Sequence, residues 1–304
     1  MGAGIVFLLG GVFTPTGPPK PDFHGNWTNE TLTRLERAGE RQTLTVEEAA
    51  AIEQEADAPW LGEMFSDTGN DVLRINGKAR SSIIIDPLNG RLPPRTAAGK
   101  KGLAELAARR ARSGEFDHPE MRPLAERCLV SFGSNAGPPM LPNYYYNNNY
   151  TIVQTADDIV ILTEMNHDAR TIRMGATTHL PATVRPWFGD SIGRWEGDTL
   201  VVETTNIHPA QLAQTEILKA YRGASRNFKV TERLRLTQPD TILYRFTVED
   251  ADTFEAPFTG ELLFKRTDGK IYEYACHESN YSIANILADA RAQERREAAQ
   301  RRRR

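Results

Sequence analysis

The chain has 304 residues, of which 39% are hydrophobic, and its formal net charge at pH 7 is -3. This length and apolar content are enough to bury a full core, and we expect one dominant domain preceded by a looser N-terminal half. The charge balance offers no basic surface to nucleic acid or to an anionic membrane, so we expect neither partner and no stable membrane insertion. A small-molecule ligand or substrate is the expected partner, and composition leaves the oligomeric state open.

An apolar run occupies residues 4–13, and a Pro-rich stretch follows at residues 14–21. The run has the length of the hydrophobic region of a signal peptide and is too short to cross a bilayer. It lacks a preceding Lys or Arg and has no clear A-x-A cleavage site. We interpret residues 1–21 as the remnant of an export signal with a spacer, which predicts a periplasmic or secreted protein. A docked or disordered N-terminus is the alternative.

Residues 22–140 are predicted to form an arm of loops and short helices. Residues 45–57 begin with Thr45 and carry a Glu three positions later, a capping box that predicts a helix. The Ala-, Leu- and Arg-rich residues 97–113 predict a second helix. Between these helices, the β-branched residues 82–86 predict a short strand.

Residues 141–282 are predicted to form a barrel, because four segments within them have the pattern of β-hairpins. In each, a run rich in Val, Ile, Leu, Tyr or Phe stops at Asp, Gly or Pro, and a second run follows at once. We expect a mainly β fold, an antiparallel up-and-down β-barrel or barrel-like meander, with the N-terminal arm wrapped over it. Residues 283–304 are predicted to form a charged C-terminal helix and tail. The four hairpin segments are residues 150–164, 191–206, 229–250 and 259–276.

Period-two alternation places two carboxylates beside apolar neighbours. Glu232 shares a strand face with Val230, so it must shift its pKa or find a partner, and a salt bridge to a nearby Arg would supply one. Glu203 lies beside Val201 on its own strand face. Tyr274, on the predicted last strand, would line the barrel cavity. The pattern suits a tyrosine-lined ligand cavity, and it also suits a filled core with a wet outer face.

Two polar clusters leave the predicted strands and could carry acid–base chemistry. His167 and Asp168 follow one strand, and His277 and Glu278 follow another. Imidazole needs the least adjustment of its pKa to transfer protons near neutral pH, and an adjacent carboxylate can orient it. We expect these four residues to be catalytic, meeting at one rim of the barrel. Helix caps and ion pairs are the alternative role for them.

A further set of polar side chains is expected to contact the substrate. The loop before residue 150 carries aromatic rings and amides that either pack down or hold a ligand. Guanidinium groups beyond it suit an anionic group, with sheet-edge ion pairs as the alternative. The expected substrate-binding residues are Tyr144, Tyr146, Asn148, Arg170, Arg185, Glu203, Asn206, Glu232 and Tyr274.

Motifs for nucleotides and metals are missing from the sequence, which has no P-loop, no G-x-G-x-x-G and no H-E-x-x-H. No pair of His residues has a recognised ligand spacing, so we predict no metal and no organic cofactor, although the histidines of the β half leave a metal open. Cys128 and Cys276 would form a disulfide in an exported protein if the fold brings them together, and closing so long a loop would stabilise the fold. Two separate buried thiols are the alternative.

Three segments resemble a large group of exported bacterial hypothetical proteins. They are residues 146–155 (YNNNYTIVQT), 193–206 (GRWEGDTLVVETTN) and 271–278 (IYEYACHE). The resemblance covers most of residues 20–290, and it implies export and a β architecture more than any reaction.

A second resemblance is to the lipocalin or calycin barrels. The sequence Gly25-Asn26-Trp27 is similar to the G-x-W signature of their first strand, and the hairpin meander is similar to theirs. This resemblance implies a barrel that holds a small ligand. The long stretch between Trp27 and the meander departs from the compact lipocalin pattern.

The sequence therefore favours one function and leaves two alternatives. We favour an exported, cofactor-independent hydrolase or lyase that uses His and carboxylate acid–base chemistry on a small organic substrate, anionic or aromatic. The alternatives are a lipocalin-like binding protein without catalysis and an interaction module. An enzyme should bring the two His clusters within about 8 Å around a cleft. A binding protein should have a deep apolar cavity with those clusters remote from it.

Overall fold

The computed structural model describes residues 20–56, 71–131, 135–142, 147–213 and 223–303. The apolar run at residues 4–13 and the expected contacts of Tyr144 and Tyr146 lie outside these ranges. No helix in the described ranges combines the length and the apolar character that crossing a membrane requires.

The described residues form twelve strands and four α-helices. The strands are β1 (Gly25–Thr28), β2 (Arg74–Ile75), β3 (Lys78–Ala79), β4 (Ile84–Asp86), β5 (Asn149–Gln154), β6 (Asp158–Thr163), β7 (Ala169–Met174), β8 (Asp190–Glu196), β9 (Thr199–Thr205), β10 (Lys229–Gln238), β11 (Thr241–Glu249) and β12 (Phe258–Arg266). The helices are α1 (Val46–Ala56), α2 (Ala97–Arg112), α3 (Pro209–Leu212) and α4 (Ser282–Arg302). The predicted helices in the arm and at the C-terminus are confirmed.

Strands β1 and β5 to β12 close a barrel, which confirms the predicted fold class. β1 pairs with β5 on one side and with β12 on the other, while β4 adds to β12. A closed ring of strictly alternating directions needs an even number of strands, so a ring of nine must contain a parallel pair. That pair is β7 and β8, with Ile172 opposite Ser191, and the crossover between them, residues 175–189, runs over the outside of the barrel.

The predicted fourth hairpin is wrong in its second strand, because residues 270–276 are irregular. The edge of β12 that they were expected to pair with is taken by β1, where Trp27 lies opposite Arg266. Trp27 is fully buried, its indole N–H donates to the Phe23 carbonyl at 2.8 Å, and the Arg266 guanidinium lies 4.3 Å from its ring centroid. Since β1 belongs to the sheet, the barrel is not confined to residues 141–282.

The inward-facing positions of the strands are filled by large side chains. Trp27, Tyr150, Tyr244, Phe246 and Phe264 are each at most 1% exposed. Tyr244 packs edge-on against Phe264 with 5.4 Å between ring centroids. Aromatic contacts of this geometry add to the stabilisation from burial. Of the two patterns that the alternation allowed, the filled core is therefore the one observed at these positions.

The predicted disulfide is present. Cys128 and Cys276 are bonded, with 5.7 Å between their Cα atoms, across a sequence separation of 148 residues. The bond anchors the irregular segment after β12 to the N-terminal arm. The backbone N–H of Tyr272 also donates to Glu164 at 2.9 Å, which fixes the same segment against the end of β6.

Candidate functional site

A row of charged side chains lies on the outer wall of the barrel, under the crossover between β7 and β8. Asp190 begins β8 and its neighbour Ser191 faces the interior, so Asp190 faces outward. Glu203 on β9 lies opposite Ile192 and faces outward for the same reason. The crossover places His179 between these two carboxylates. We call Arg173, His179, Asp190, Glu203 and Lys229 the acid–base cluster.

Asp190 holds the imidazole of His179 in one orientation. Its Oδ2 lies 2.7 Å from His179 Nδ1 and accepts the Leu180 backbone N–H at 2.9 Å. Arg173 Nη2 donates to both carboxylate oxygens, at 2.8 and 3.0 Å. Burial alone would raise the pKa of Asp190, but the hydrogen bonds from Leu180, His179 and Arg173 outweigh burial and lower that pKa. The Asp190 carboxylate is therefore charged, and its hydrogen bonds to three residues fix its position.

The other imidazole nitrogen of His179 faces a second carboxylate. His179 Nε2 lies 3.3 Å from Glu203 Oε1, and the other oxygen of Glu203 lies 2.9 Å from Lys229 Nζ. The hydrogen bond from Lys229 is the largest of the effects that lower the pKa of Glu203. A protonated imidazole can donate to both carboxylates at once, whereas a neutral one can donate only to Asp190 or to Glu203. The His179 side chain is 19% exposed, so solvent or a substrate can reach it.

Two predicted substrate-binding residues position the crossover instead of facing solvent freely. Asn206 donates from Nδ2 to the Leu180 carbonyl at 2.9 Å, next to His179. Arg185 donates to three backbone carbonyls, those of Ala182, Ile207 and Arg226. The Arg185 guanidinium thus holds the crossover against Ile207, which follows β9, and against Arg226, which precedes β10. Both residues support the acid–base cluster through the backbone that carries it.

Sequence reasoning missed four members of this cluster, all except Glu203, and one motif beside it. Residues 189–193 spell G-D-S-I-G, which fits the G-x-S-x-G pattern of a hydrolase nucleophile elbow. Ser191, however, is the second residue of β8, is 1% exposed and shares a 2.8 Å hydrogen bond with Thr204. It faces the interior, on the side of β8 opposite to Asp190. His179 and Asp190 are eleven positions apart, with a loop between them. This spacing is not part of a recognised motif, so the pair could not be recognised from the sequence.

The side chains of the predicted catalytic pair, His167 and Asp168, point in different directions. His167 is exposed with φ of 46°, whereas Asp168 turns inward and is 7% exposed. Asp168 accepts hydrogen bonds from the Ser131 backbone N–H at 2.8 Å and from Asn166 Nδ2 at 3.0 Å. Burial raises the pKa of Asp168 to about 6. In the described part of the chain, no hydrogen bond or ion pair joins the two side chains.

The second predicted pair, His277 and Glu278, is exposed in the segment after β12. No hydrogen bond or ion pair between described residues joins it to His167 or Asp168, so their meeting at one rim stays a prediction. The arm links the two segments, since Cys276 is bonded to Cys128 and Ser131, three positions later, donates its backbone N–H to Asp168, and the Tyr272 N–H links them directly through Glu164. Tyr274 is half-buried in the same segment, and its carbonyl accepts the Cys276 N–H at 2.9 Å.

Inside the barrel, Arg170 and Glu232 form a buried bidentate ion pair. Both guanidinium Nη atoms donate to the carboxylate, Nη2 to Oε1 at 2.9 Å, and the side chains are 3% and 0% exposed. Tyr244 also donates from its hydroxyl to Glu232, at 2.8 Å. This confirms the interpretation of Glu232 as half of a salt bridge. Asn148, also buried, accepts a hydrogen bond from Asn135 at 3.1 Å.

In the part of the chain that the structure describes, the acid–base cluster coincides neither with a group of side chains that could hold a metal ion nor with the cleft beside α2. Among the described residues, no three His, Cys, Asp or Glu side chains are arranged to hold a metal ion. His179, Asp190 and Glu203 lie in a row in which the imidazole separates the carboxylates. A cleft of about 350 Å³ lies between α2 and residues 223–226, and no member of the cluster lines it.

Comparisons with known proteins add little to this geometry. No family model matches the chain, and no curated protein matches its sequence. Among solved structures, the chain is similar to a luciferase domain from the dinoflagellate Lingulodinium polyedrum, with 12% identity and a TM-score of 0.24. That match covers 74% of this chain and 54% of the other, so the chain spans about half of that structure. We base neither fold nor function on it.

Proposed function

We propose that the protein is a hydrolase or lyase in which His179, oriented by Asp190, transfers the proton. The observation that carries this proposal is the 2.7 Å contact from His179 Nδ1 to an Asp190 carboxylate that Arg173 and the Leu180 N–H already hold. A carboxylate in this position fixes the ring and stabilises the imidazolium that forms during proton transfer. Among the described residues no carboxylate forms a hydrogen bond with the ring of His167 or of His277, so His179 takes the role first expected of them.

The reactive nitrogen of His179 can be freed at low cost. Nε2 contacts Glu203 at 3.3 Å, whereas Glu203 also binds Lys229 at the shorter distance of 2.9 Å. If a substrate or a water molecule replaces Glu203 on Nε2, Glu203 keeps its ion pair with Lys229. The neutral imidazole can then accept a proton at Nε2 while it donates from Nδ1 to Asp190.

The Arg173 guanidinium, next to His179 in the acid–base cluster, indicates which class of substrate would bind. Its side chain is 39% exposed, and among the hydrogen bonds of the described residues it uses only Nη2, for Asp190 and the Thr178 carbonyl. Nε and Nη1 remain as single donors on different sides of the guanidinium, and either can donate to one oxygen of an anionic group. We therefore assign a small organic substrate with an anionic group, either an ester or lactone or a hydroxy acid.

The chemistry balances with His179 as the single proton carrier. In hydrolysis, Nε2 removes a proton from water, the hydroxide attacks the acyl carbon, and the same proton passes to the departing alkoxide. In elimination, Nε2 removes the proton next to the substrate carboxylate, and the departing hydroxyl leaves as water with that proton. Both routes use the imidazole first as a base and then as an acid.

The remaining features agree with an exported enzyme. A disulfide forms and persists in oxidising compartments, so we propose a periplasmic or secreted location. The lipocalin-like alternative calls for a deep apolar cavity. In the described part of the barrel, the interior positions named above hold Trp27, Tyr150, Tyr244, Phe246 and Phe264, which leaves that alternative less well supported.

The test compares His179→Gln with His167→Gln and His277→Gln as matched controls. Each variant would be assayed on small carboxylate-bearing esters, lactones and 3-hydroxy acids, after near-UV circular dichroism has verified its folding. We expect kcat/KM of His179→Gln to fall by roughly 10²- to 10⁴-fold, as for loss of a general base, with both controls near wild type. Activity that survives in His179→Gln, or that disappears in His277→Gln, would overturn the assignment.

Asp190→Asn tests the positioning role separately. Removing the carboxylate charge takes away support for the imidazolium that forms during the reaction, so kcat should fall by roughly 10²-fold or more while KM stays near wild type. A purely structural Asp190 would lower the yield of folded protein and leave the kcat of the folded fraction unchanged.

A further inference from the structure

Three buried polar atoms near one end of the barrel have no hydrogen-bond partner among the described residues. They are Arg170 Nε, Asn29 Oδ1 and Asn135 Oδ1. Their residues are 3%, 1% and 0% exposed. Folded proteins rarely leave such atoms unpaired, because losing water without gaining a partner is unfavourable. Some molecule absent from the polypeptide is therefore expected to complete these bonds.

The three atoms belong to one connected network, and its first half runs across the interior. Arg170 is bound to Glu232, which accepts the Tyr244 hydroxyl at 2.8 Å. The oxygen of that hydroxyl accepts the Met140 backbone N–H at 2.9 Å. The carbonyl of Met140 in turn accepts Asn29 Nδ2 at 3.3 Å. Because Nδ2 is committed to a carbonyl, the other atom of the Asn29 amide is the oxygen, an acceptor.

Tyr150 joins the second half of the network. Its hydroxyl donates to the Asn135 carbonyl at 3.1 Å. The Asn29 backbone N–H donates to the Asn148 carbonyl at 3.2 Å, which connects this half to the first. Asn135 Nδ2 donates to Asn148 Oδ1 at 3.1 Å, so the amide orientation is again fixed and Asn135 Oδ1 is the unpaired acceptor.

The charge of the network selects the kind of molecule that would fit. Arg170 and Glu232 neutralise each other, so a charged guest would be buried without a counter-ion. The unpaired atoms are two acceptors and one donor. Tyr150 and Phe264, whose ring centroids are 5.1 Å apart, supply apolar surface beside them.

We infer that this polar end of the barrel binds a small neutral molecule that carries at least two O–H or N–H donors and one acceptor. Polyols and simple amides have this chemistry, and the filled interior limits the guest to a few heavy atoms. The site shares no residue with the acid–base cluster on the outer wall. Binding here and catalysis at His179 can therefore succeed or fail independently.

The test uses isothermal titration calorimetry of the full chain with meso-erythritol and acetamide, and with acetate and methylammonium as charged probes of similar size. We expect saturable binding of a neutral probe and none of the charged ones. Asn29→Leu and Asn135→Leu, made separately so that one folding failure leaves the other informative, should each weaken binding by about tenfold, as for loss of one hydrogen bond in a buried site. Asn227→Ala, outside the barrel, should bind as the wild type does.

Three results would overturn the inference. The first is equal heats for acetate and the neutral probes. The second is unchanged affinity in both Leu variants. The third is a crystal structure grown with erythritol in which water alone contacts Arg170 Nε and the two Asn oxygens, since the network would then be completed by solvent.

Discussion

Replacing Glu232 by Leu would leave the guanidinium of Arg170 buried without its counter-ion. Both side chains are at most 3% exposed, so water cannot take over the role of the carboxylate. Breaking a buried ion pair from one side costs about 3–5 kcal/mol. The Tyr244 hydroxyl, which donates to Glu232 at 2.8 Å, would also lose its acceptor and add about 1 kcal/mol. The total is a large part of the stability of an ordinary domain.

Denaturant unfolding followed by tryptophan fluorescence would measure this loss. The matched control is the double variant Arg170→Met with Glu232→Leu, which replaces the pair by apolar groups of similar volume. Such replacements are often neutral or stabilising, so we expect it within about 2 kcal/mol of wild type. A single variant that loses less than about 1 kcal/mol would refute the reasoning. So would a double variant at least as unstable as Glu232→Leu alone.

Three further predictions concern other parts of the fold. Replacing Cys128 and Cys276 by Ser opens a loop of 148 residues and should lower the free energy of unfolding by about 5 kcal/mol in the chain-entropy model, measured as a shift in the urea midpoint. Burial raises the pKa of Asp168 from 3.8 to about 6, so the folded state binds that proton more tightly than the unfolded chain. Stability from this group is complete below about pH 4 and should be lost, by about 3 kcal/mol, as pH rises through 6. Asp168→Asn should lack this loss when urea midpoints at pH 4 and pH 7 are compared. A Cβ on Gly260 would lie 2.3 Å from the ring of Phe246, whereas one on Gly102, in α2, would meet nothing within 4 Å. Gly260→Ala should therefore cost about 1–3 kcal/mol, whereas the control Gly102→Ala should not destabilise the protein, which calorimetric melting would show.

The alternation of apolar residues was enough to predict most of the barrel. Val230, Glu232 and Tyr244 face the interior as the period-two pattern requires, and three of the four hairpins turn where Asp, Gly or Pro interrupts an apolar run. The fourth was misassigned because residues 270–276 alternate in sequence but find no free strand edge. β1, a strand of four residues, holds that edge, and so short a run carries little signal of its own.

The candidate site was predicted less well, for a related reason. Glu203 was found because it lies within a strand whose faces can be counted. His179 lies in the crossover, where no periodicity applies, and its contact with Asp190 depends on how that crossover folds over a parallel strand pair. His167 and Asp168 are adjacent in sequence, yet the backbone sends one outward and the other inward.

The sequence by itself determined most of the elements of this protein: its longer helices, most strands of the barrel and the faces that those strands bury. Those properties depend on side-chain periodicity and turn residues within about ten positions, which can be read locally. Only the tertiary structure decided which elements meet, and with them the partners of each charged group. Arg170 and Glu232 are 62 positions apart, and His179 and Glu203 are 24 apart. Such pairs exist because strand order and barrel closure bring the positions together, and no local pattern records that order.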